Sequence, residues 1–339
     1  MDAHVDHRQT APGVIARTIA AASRARATGR HAAGAHPAAG LPVADTLLLV
    51  TPGVIWGASF LFIAEGLAAL PPDGITFLRF VVGFLTLACV PGARQPVRRD
   101  DRLAIAGLGL VWMAFPMSLF PHAEQHVSSA LTGMLNGAIP LLSAIAGTIL
   151  TRALPSRGVV AGLVVGFSGA VLMALPGLDR GGTEARGVLL IGLALVSYGV
   201  AIHIARPLQQ RNGALPVVWR ALGVSVVVTA PLGLPALTHA VWVPRAFAAV
   251  LALGAFGTAI ANVILARAAG RLGAVRASGS AFIIPVVALL LGVLVRGESV
   301  PAAALAGGAL CLAGAWLLRR AAIAHAASIP SSHPHERHP

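Results

Sequence analysis

The sequence predicts an all-α integral membrane protein of ten transmembrane helices, arranged as two inverted five-helix repeats. Three observations predict it. The 339-residue chain is 56% hydrophobic and only 11% charged, with a mean hydropathy of +0.80, whereas a soluble domain carries about 25% charged residues. From about Thr46 to Arg320, apolar blocks follow one another with short polar breaks, and each is close to the roughly 20 residues that cross a 30 Å hydrocarbon core as a helix. The third observation is that the second half of this series repeats the first at a shift of 145 residues, Pro140 falling on Pro285.

The expected spans are 46–69, 74–91, 103–121, 127–151, 158–175, 187–206, 216–236, 246–266, 273–295 and 301–319. They divide the chain into a tail (1–45), a first repeat (46–175), a second repeat (187–319) and a second tail (320–339). The first 40 residues hold five arginines, four histidines and much alanine. A segment of that composition has little to bury and is expected to be disordered. The last tail carries His325, His333, His335 and His338, which read as a disordered end and not as a metal site.

Every basic residue is arginine, so orientation can be counted. With a cytoplasmic N-terminus, nineteen of the 25 arginines fall on the cytoplasmic side and only Arg180, Arg186, Arg245 and Arg296 on the other. The positive-inside rule then places both termini in the cytoplasm, and the expected location is a bacterial cytoplasmic (inner) membrane. The sequence pI near 11.8 reflects this loop bias. No stretch interleaves aromatics with a basic face, so nucleic acid is not an expected partner; a small-molecule solute and the lipid bilayer are.

The repeat explains a pattern that is otherwise odd. "NGAIPLLSAIAG" (136–147) and "SAFIIPVVALLLG" (280–292) each put a proline inside a long apolar segment, where it removes a backbone donor and breaks the helix. At the same shift Gly147 falls on Gly292, Gly162 on Gly307 and Gly169 on Gly314. Positions 158, 162, 166 and 169 line one helix face with small residues, the arrangement that lets helices approach closely in lipid. Five helices per repeat is an odd number, so the second copy enters the membrane from the opposite side. Broken helices in matching places of two inverted halves point to a solute site near the midplane, which makes Pro140 and Pro285 the expected hinges.

The chain also resembles the EamA-type transporters of the drug/metabolite transporter superfamily, over about residues 45–320. The resemblance rests on "WGASF" (56–60), "LRFVVGFLTL" (78–87), "SSALTGMLNGAIPLLSAIAG" (128–147) and, most specifically, "SGSAFIIPVVALLLGVLVRGESVPAAALAGGALCLAGAWLLRR" (278–320). In that family each proline helix ends in a Gly-Glu pair, as at Gly297-Glu298; the first repeat departs, with Arg152-Ala153 in its place. A lysine that is common in the family near "IAEG" (63–66) is also absent. The resemblance implies ten helices, cytoplasmic termini and a central cavity lined mainly by helices 1, 3, 4, 6, 8 and 9.

Polar residues inside the spans supply the candidate site. Uncharged cavity candidates are Asn136, Asn262, Trp56, Trp112, Tyr198, Ser278, Ser280 and His203. Glu65 is the only acidic residue within an expected span, and intramembrane charges are functional candidates. Counted from "LPPDG", Glu65 and Arg79 lie at the same depth, about 7–8 Å below the helix ends. They could form an ion pair, Glu65 could couple to protons or solute, or each could snorkel to the surface. "GFSG" (166–169) resembles a serine-protease motif, but Ser168 falls on Ala313 while its flanking glycine falls on glycine; packing recurs and the nucleophile does not. No Walker motif, nucleotide loop or metal-ligand spacing appears, so no cofactor and no enzymatic activity are expected. The expected function is a secondary transporter, an exporter, of a small metabolite such as an amino acid. The alternative is a lipid flippase or scramblase of the same fold.

Overall fold

The computed structural model of the chain describes residues 42–152, 154–179 and 182–327, and these are helical, with no strand among them. The ten expected spans correspond to α1 Val43–Gly66, α2 Pro72–Ala88, α3 Arg99–Ala123, α4 Ser129–Thr151, α5 Arg157–Asp179, α6 Gly182–Asn212, α7 Ala214–Leu237, α8 Pro244–Leu272, α9 Ser278–Arg296 and α10 Ala302–Ala327. Nine of them, among the described residues, are long and apolar enough to cross a membrane. The tenth, α2, has 17 residues, at the short end of the spanning range. It starts at Pro72, whose missing donor costs nothing in a first turn.

Most of the expected N-terminal tail lies outside the described residues, as do His333, His335 and His338. The expected second tail is different at its start: α10 continues past residue 320 to Ala327, because "AAIAHAA" is rich in alanine, the strongest helix former.

Successive helices run antiparallel, so the connections alternate between two ends of the bundle. One end, the termini end, joins the start of α1 to the end of α8 through Arg271 Nε and Asp45 Oδ1 at 2.6 Å. At the opposite, far end the α1–α2 and α7–α8 connections meet, Val241 N–H donating to Ala69 O at 2.9 Å. Outward faces are apolar, with Leu294, Val227 and Leu232 largely exposed, as lipid contact requires.

Helix pairings follow the repeat. The pairs α5–α10 and α2–α7 each join equivalent helices, while α1–α9 is mirrored by α6–α4 and α2–α8 by α7–α3. The small-residue faces of α5 and α10 touch backbone to backbone: a Cβ on Gly169 would collide with Cys311 N, and one on Gly314 with Gly166. These two helices pack on each other at the edge of the bundle, leaving the other eight around the centre.

Helix irregularities also come in pairs. A 3-10 turn, Asn136–Ala138, precedes Pro140 in α4, and another, Ser278–Phe282, precedes Pro285 in α9. A π-helical segment, Gly109–Ala114, interrupts α3 and its counterpart, Leu253–Ile260, interrupts α8. Gly109 and Gly254, equivalent at the 145-residue shift, each lie against a neighbouring backbone. A Cβ there would come within 2.8 Å of Ala221 O on α7 and 2.9 Å of Arg79 O on α2, respectively.

Candidate functional site

A cavity of about 320 Å³ lies at the centre of the bundle. It extends from Phe60, Phe120 and Tyr198 towards the termini end, where Gln209, Ala214 and Ala269 border it. Eight helices contribute to its wall, including α2 and α7 as well as the six that the resemblance implies; only α5 and α10 contribute no side chain.

Side-chain hydrogen bonds gather at the irregular backbone beside the cavity. A π turn leaves carbonyls without their usual helical donors, and side chains from the facing helices meet them. Trp56 Nε1 donates to Gly257 O at 3.0 Å in the α8 segment. Ser197 Oγ donates to Val111 O at 2.6 Å, and Ser225 Oγ to Gly109 O at 3.1 Å, in the α3 segment. Asn136 sits in the 3-10 turn before Pro140, and its buried Oδ1 has no hydrogen-bond partner among the described residues. Asn262 also borders the cavity and donates through Nδ2 to Thr258 O at 3.0 Å.

Arg79 is the one charged side chain among the described residues that line the cavity. It is 4% exposed, and its Nε donates to Thr258 Oγ1 at 3.2 Å. No carboxylate among the described residues lies within ion-pairing distance of it. The expected pair with Glu65 is therefore not formed. Helix α1 ends at Gly66 and α2 begins at Pro72, so Glu65 stands at a helix end whereas Arg79 is seven residues, or about 10 Å, inside one.

Glu65 instead belongs to a network at the far end. It accepts from Arg245 Nε at 2.8 Å and from Arg296 Nη1 at 2.9 Å. Arg296 Nε also reaches Glu298 Oε1 at 3.2 Å. The Gly-Glu pair acquires a physical meaning here. Gly297 ends α9 in the left-handed conformation (φ 65°), which glycine adopts without steric cost. The turn sends Glu298 to the start of α4, where its carboxylate accepts from Ser129 N (3.1 Å), Ser129 Oγ (2.8 Å) and Ala130 N (2.8 Å). Those amides are orphan donors of a helix N-terminus, which also favours negative charge. Gly292 leaves the space, since a Cβ there would lie within 2.8 Å of Ala130 Cβ.

Three expected cavity residues face elsewhere. His203 is five residues past Tyr198, about 140° around α6, and packs over Gly147 on α4 with Nε2 2.8 Å from Ser143 O. Ser280 is buried against α1 and donates to Ala277 O at 2.9 Å; Ala281 and Ile284 face the cavity in its stead. Ser278 does not line the cavity. Trp56, Trp112, Tyr198, Asn136 and Asn262 do.

One residue was missed by sequence reasoning. Glu124 follows the last residue of α3, just beyond an expected span, and so counts as a loop residue in the sequence. In the structure both of its carboxylate oxygens are shut off from solvent without a hydrogen-bond partner among the described residues. It borders a crevice at the far end together with Ala68, Pro71, His239 and Arg296. Burial holds its carboxyl well above the usual carboxylate range, and the neighbouring Glu298 adds to that.

With this geometry in view, the comparisons with known proteins are specific. The model of the EamA-like transporter family matches residues 45–175 and again 185–320. A probable terminal-alkyne amino-acid exporter of Streptantibioticus cattleyicolor is 31% identical over 277 residues, covering 80% of this chain and 92% of that protein. The uncharacterized inner membrane transporter YedA of Escherichia coli strain K12 is 26% identical over 263 residues, covering 73% and 81%. A crystal structure that is 22% identical in sequence superposes with a TM-score of 0.54 over 84% of this chain and 99% of its own, a likeness of fold.

Proposed function

The chain belongs to the EamA-like transporter family, and we propose that it is a secondary transporter exporting an amino acid or a related small metabolite by alternating access. In this reading both termini are cytoplasmic and the membrane is a bacterial inner membrane. The termini end then faces the cytoplasm, where the cavity loads, while the network around Glu65 holds the outer side shut. Pro140 and Pro285 act as hinges in the two equivalent helices.

The observation that carries the reading is that Arg79 and Asn136, whose Oδ1 has no hydrogen-bond partner among the described residues, line one cavity that is mostly apolar and aromatic. A zwitterionic solute matches that pair. Its carboxylate meets a buried guanidinium that has no carboxylate partner, its ammonium meets the amide oxygen, and its carbon chain lies against Trp56, Trp112 and Phe120. The printed name of the Streptantibioticus relative, an amino-acid exporter, supports the same solute class. A cavity walled by side chains of eight helices, centred in the bundle, supports a water-soluble solute over a lipid.

The test is transport of a panel of labelled neutral α-amino acids by purified protein in liposomes without ATP. At least one is expected to move. Arg79→Gln is expected to lower kcat/KM about 10- to 100-fold, the equivalent of one charged hydrogen-bonding contact. Asn136→Ala and Asn262→Ala are expected to raise the half-saturating concentration more than they lower protein level. Absence of transport across the panel, or wild-type kinetics in Arg79→Gln, overturns the assignment.

A further inference from the structure

The mechanism above leaves unused a carboxylate, that of Glu124, whose oxygens are shut off from solvent without a hydrogen-bond partner among the described residues. Glu124 lies between the far-end crevice and the roof of the central cavity, one turn after Phe120. An ionised carboxylate with no donor costs several kcal/mol in such a place, so the shut far end accommodates the neutral acid. The groups around it are otherwise committed. Arg296 on α9 is held by Glu65 of α1 and by Glu298, and Asp73 on α2 is held by His122 of α3 itself, Nε2 to Oδ1 at 3.1 Å. Arg79 of α2 interacts electrostatically with it without coming within ion-pairing distance, and Tyr198 of α6 interacts with Arg79. His126 follows it on the same connection, and His239 borders the crevice from the end of α7.

We propose that Glu124 is a proton-binding site that governs closure of the far end: it binds a proton from the crevice as the far end shuts and releases it as the far end opens. This rests on reading the far end as the closed outer side of an alternating-access transporter. Opening separates Arg296 from Glu65 and Glu298 and admits water, and both changes favour the carboxylate. The linkage is reciprocal. Because the shut form binds the extra proton, falling pH favours closure and rising pH favours opening, by at most about tenfold in the open-to-shut ratio per pH unit for a single proton. Acid on the outer side thus returns the transporter to its loading form.

The test follows the far end directly and needs no solute. Spin labels are placed at Ala68→Cys and Ser299→Cys in a Cys89→Ser background of the full chain, and their distance distribution is measured by pulsed electron resonance between pH 5 and pH 9. The short-distance population is expected to grow as pH falls. Glu124→Gln, which mimics the neutral acid in shape, is expected to stay short at every pH. Glu124→Asp is expected to keep a pH response with a moved midpoint, and His239→Gln and His122→Gln are expected to keep the wild-type one. A Glu124→Gln protein that titrates like wild type overturns the proposal, as does a response removed by either histidine substitution. If Glu65→Gln lengthens the distance while pH does not, the proton site fails and alternating access stands. If neither moves it, the reading of the far end as a movable closure fails as well.

Discussion

The two ends of the bundle are related by the repeat but fastened differently. At the far end, beside the backbone bond from Val241 N to Ala69 O, three side-chain links cross between the repeats among the described residues: Glu65–Arg245 joins α1 to α8, Glu65–Arg296 joins α1 to α9, and Glu298 joins the α9–α10 connection to α4. The first has a counterpart of reversed sign at the termini end. There Asp101, at the head of α3, takes Arg211 Nη2 at 2.9 Å and Asn212 Nδ2 at 2.8 Å from α6. The other two links have none among the described residues. Thr151 stands where Arg296 stands and bonds only within its own helix, Oγ1 to Gly147 O at 2.8 Å. Alanine occupies position 153, the counterpart of Glu298. The backbone repeats and the fastening does not: the termini end, which the cavity reaches, is held by other bonds, Asp45 of α1 with Arg271 of α8 and Arg98 N with Asn212 Oδ1 of α6. On the alternating-access reading proposed above, charges laid on a nearly symmetric scaffold set which side is shut.

The largest expected effect comes from cutting the link with most bonds. Glu298→Ala strands the donors of Ser129 and Ala130 at the start of α4 and releases Arg296. At about 1–3 kcal/mol for each stranded buried donor, a loss of roughly 3 kcal/mol or more is expected in thermal unfolding, together with a longer 68–299 distance. Glu298→Gln retains size and an acceptor oxygen and is expected to lose about half of that. An unchanged melting curve would show that the cap contributes nothing and that the difference between the ends lies elsewhere.

Next in size is Arg296→Gln, because this one guanidinium serves both Glu65 and Glu298 and is only 33% exposed. Charged hydrogen bonds of this kind contribute about 1.5–3 kcal/mol when buried, and partial exposure lowers that to roughly 1–2 kcal/mol. The readout is the far-end distance distribution at pH 7. Salt up to 1 M should reproduce part of the effect by screening.

Building the missing link at the termini end tests the comparison from the other side. Arg152 ends α4 with φ 51°, the one non-glycine residue with positive φ among those described, a conformation that costs an L-residue about 1–2 kcal/mol. Arg152→Gly with Ala153→Glu installs the Gly-Glu pair of the second repeat in the first. A new cap of about 1–2 kcal/mol is expected to shift the termini end towards closure about 5- to 30-fold, read as a shorter distance between labels at Ser156→Cys and Gly270→Cys. Amino-acid loading from that side should slow in parallel.

Much of this was legible in the sequence because membrane helices and repeats leave strong signals. The ten spans followed from apolar length, and the proline breaks of α4 and α9 from Pro140 and Pro285 falling 145 residues apart. Asn136 was legible because it stands one turn before such a break. What failed was local geometry. The depth of Arg79 was misjudged because α1 ends at Gly66, before the expected residue 69, while α2 begins at Pro72, before the expected residue 74. Glu124 lay just past an expected span end and counted as solvent-exposed. The side on which His203 or Ser280 points depends on helix rotation, which apolar flanks on all faces do not encode. The π segments have no composition of their own; the equivalence of Gly109 and Gly254 was the one available trace.

The smallest expected effect concerns the link both ends share. Arg245 is 71% exposed at its side chain and Arg211 33%, while their partners Glu65 and Asp101 are 17% and 7% exposed. Exposed pairs of this kind contribute about 0.2–1 kcal/mol. Arg245→Gln is therefore expected to cost less than about 1 kcal/mol, because Glu65 keeps Arg296. Arg211→Gln should cost slightly more, since its loss leaves the better buried Asp101 with only the Asn212 amide as a side-chain partner. A double-mutant cycle of Arg245→Gln with Glu65→Gln isolates the pair from Arg296, and its coupling energy should match that of Arg211→Gln with Asp101→Asn within about 0.5 kcal/mol. Equal coupling at the two ends would mean that reversing the sign of this link is neutral, leaving Glu298 and Arg296 at one end and the Asp45–Arg271 pair at the other as the source of the asymmetry. A far larger coupling at Glu65–Arg245 would instead make that exposed pair the latch, and the ranking of these effects would have to be inverted.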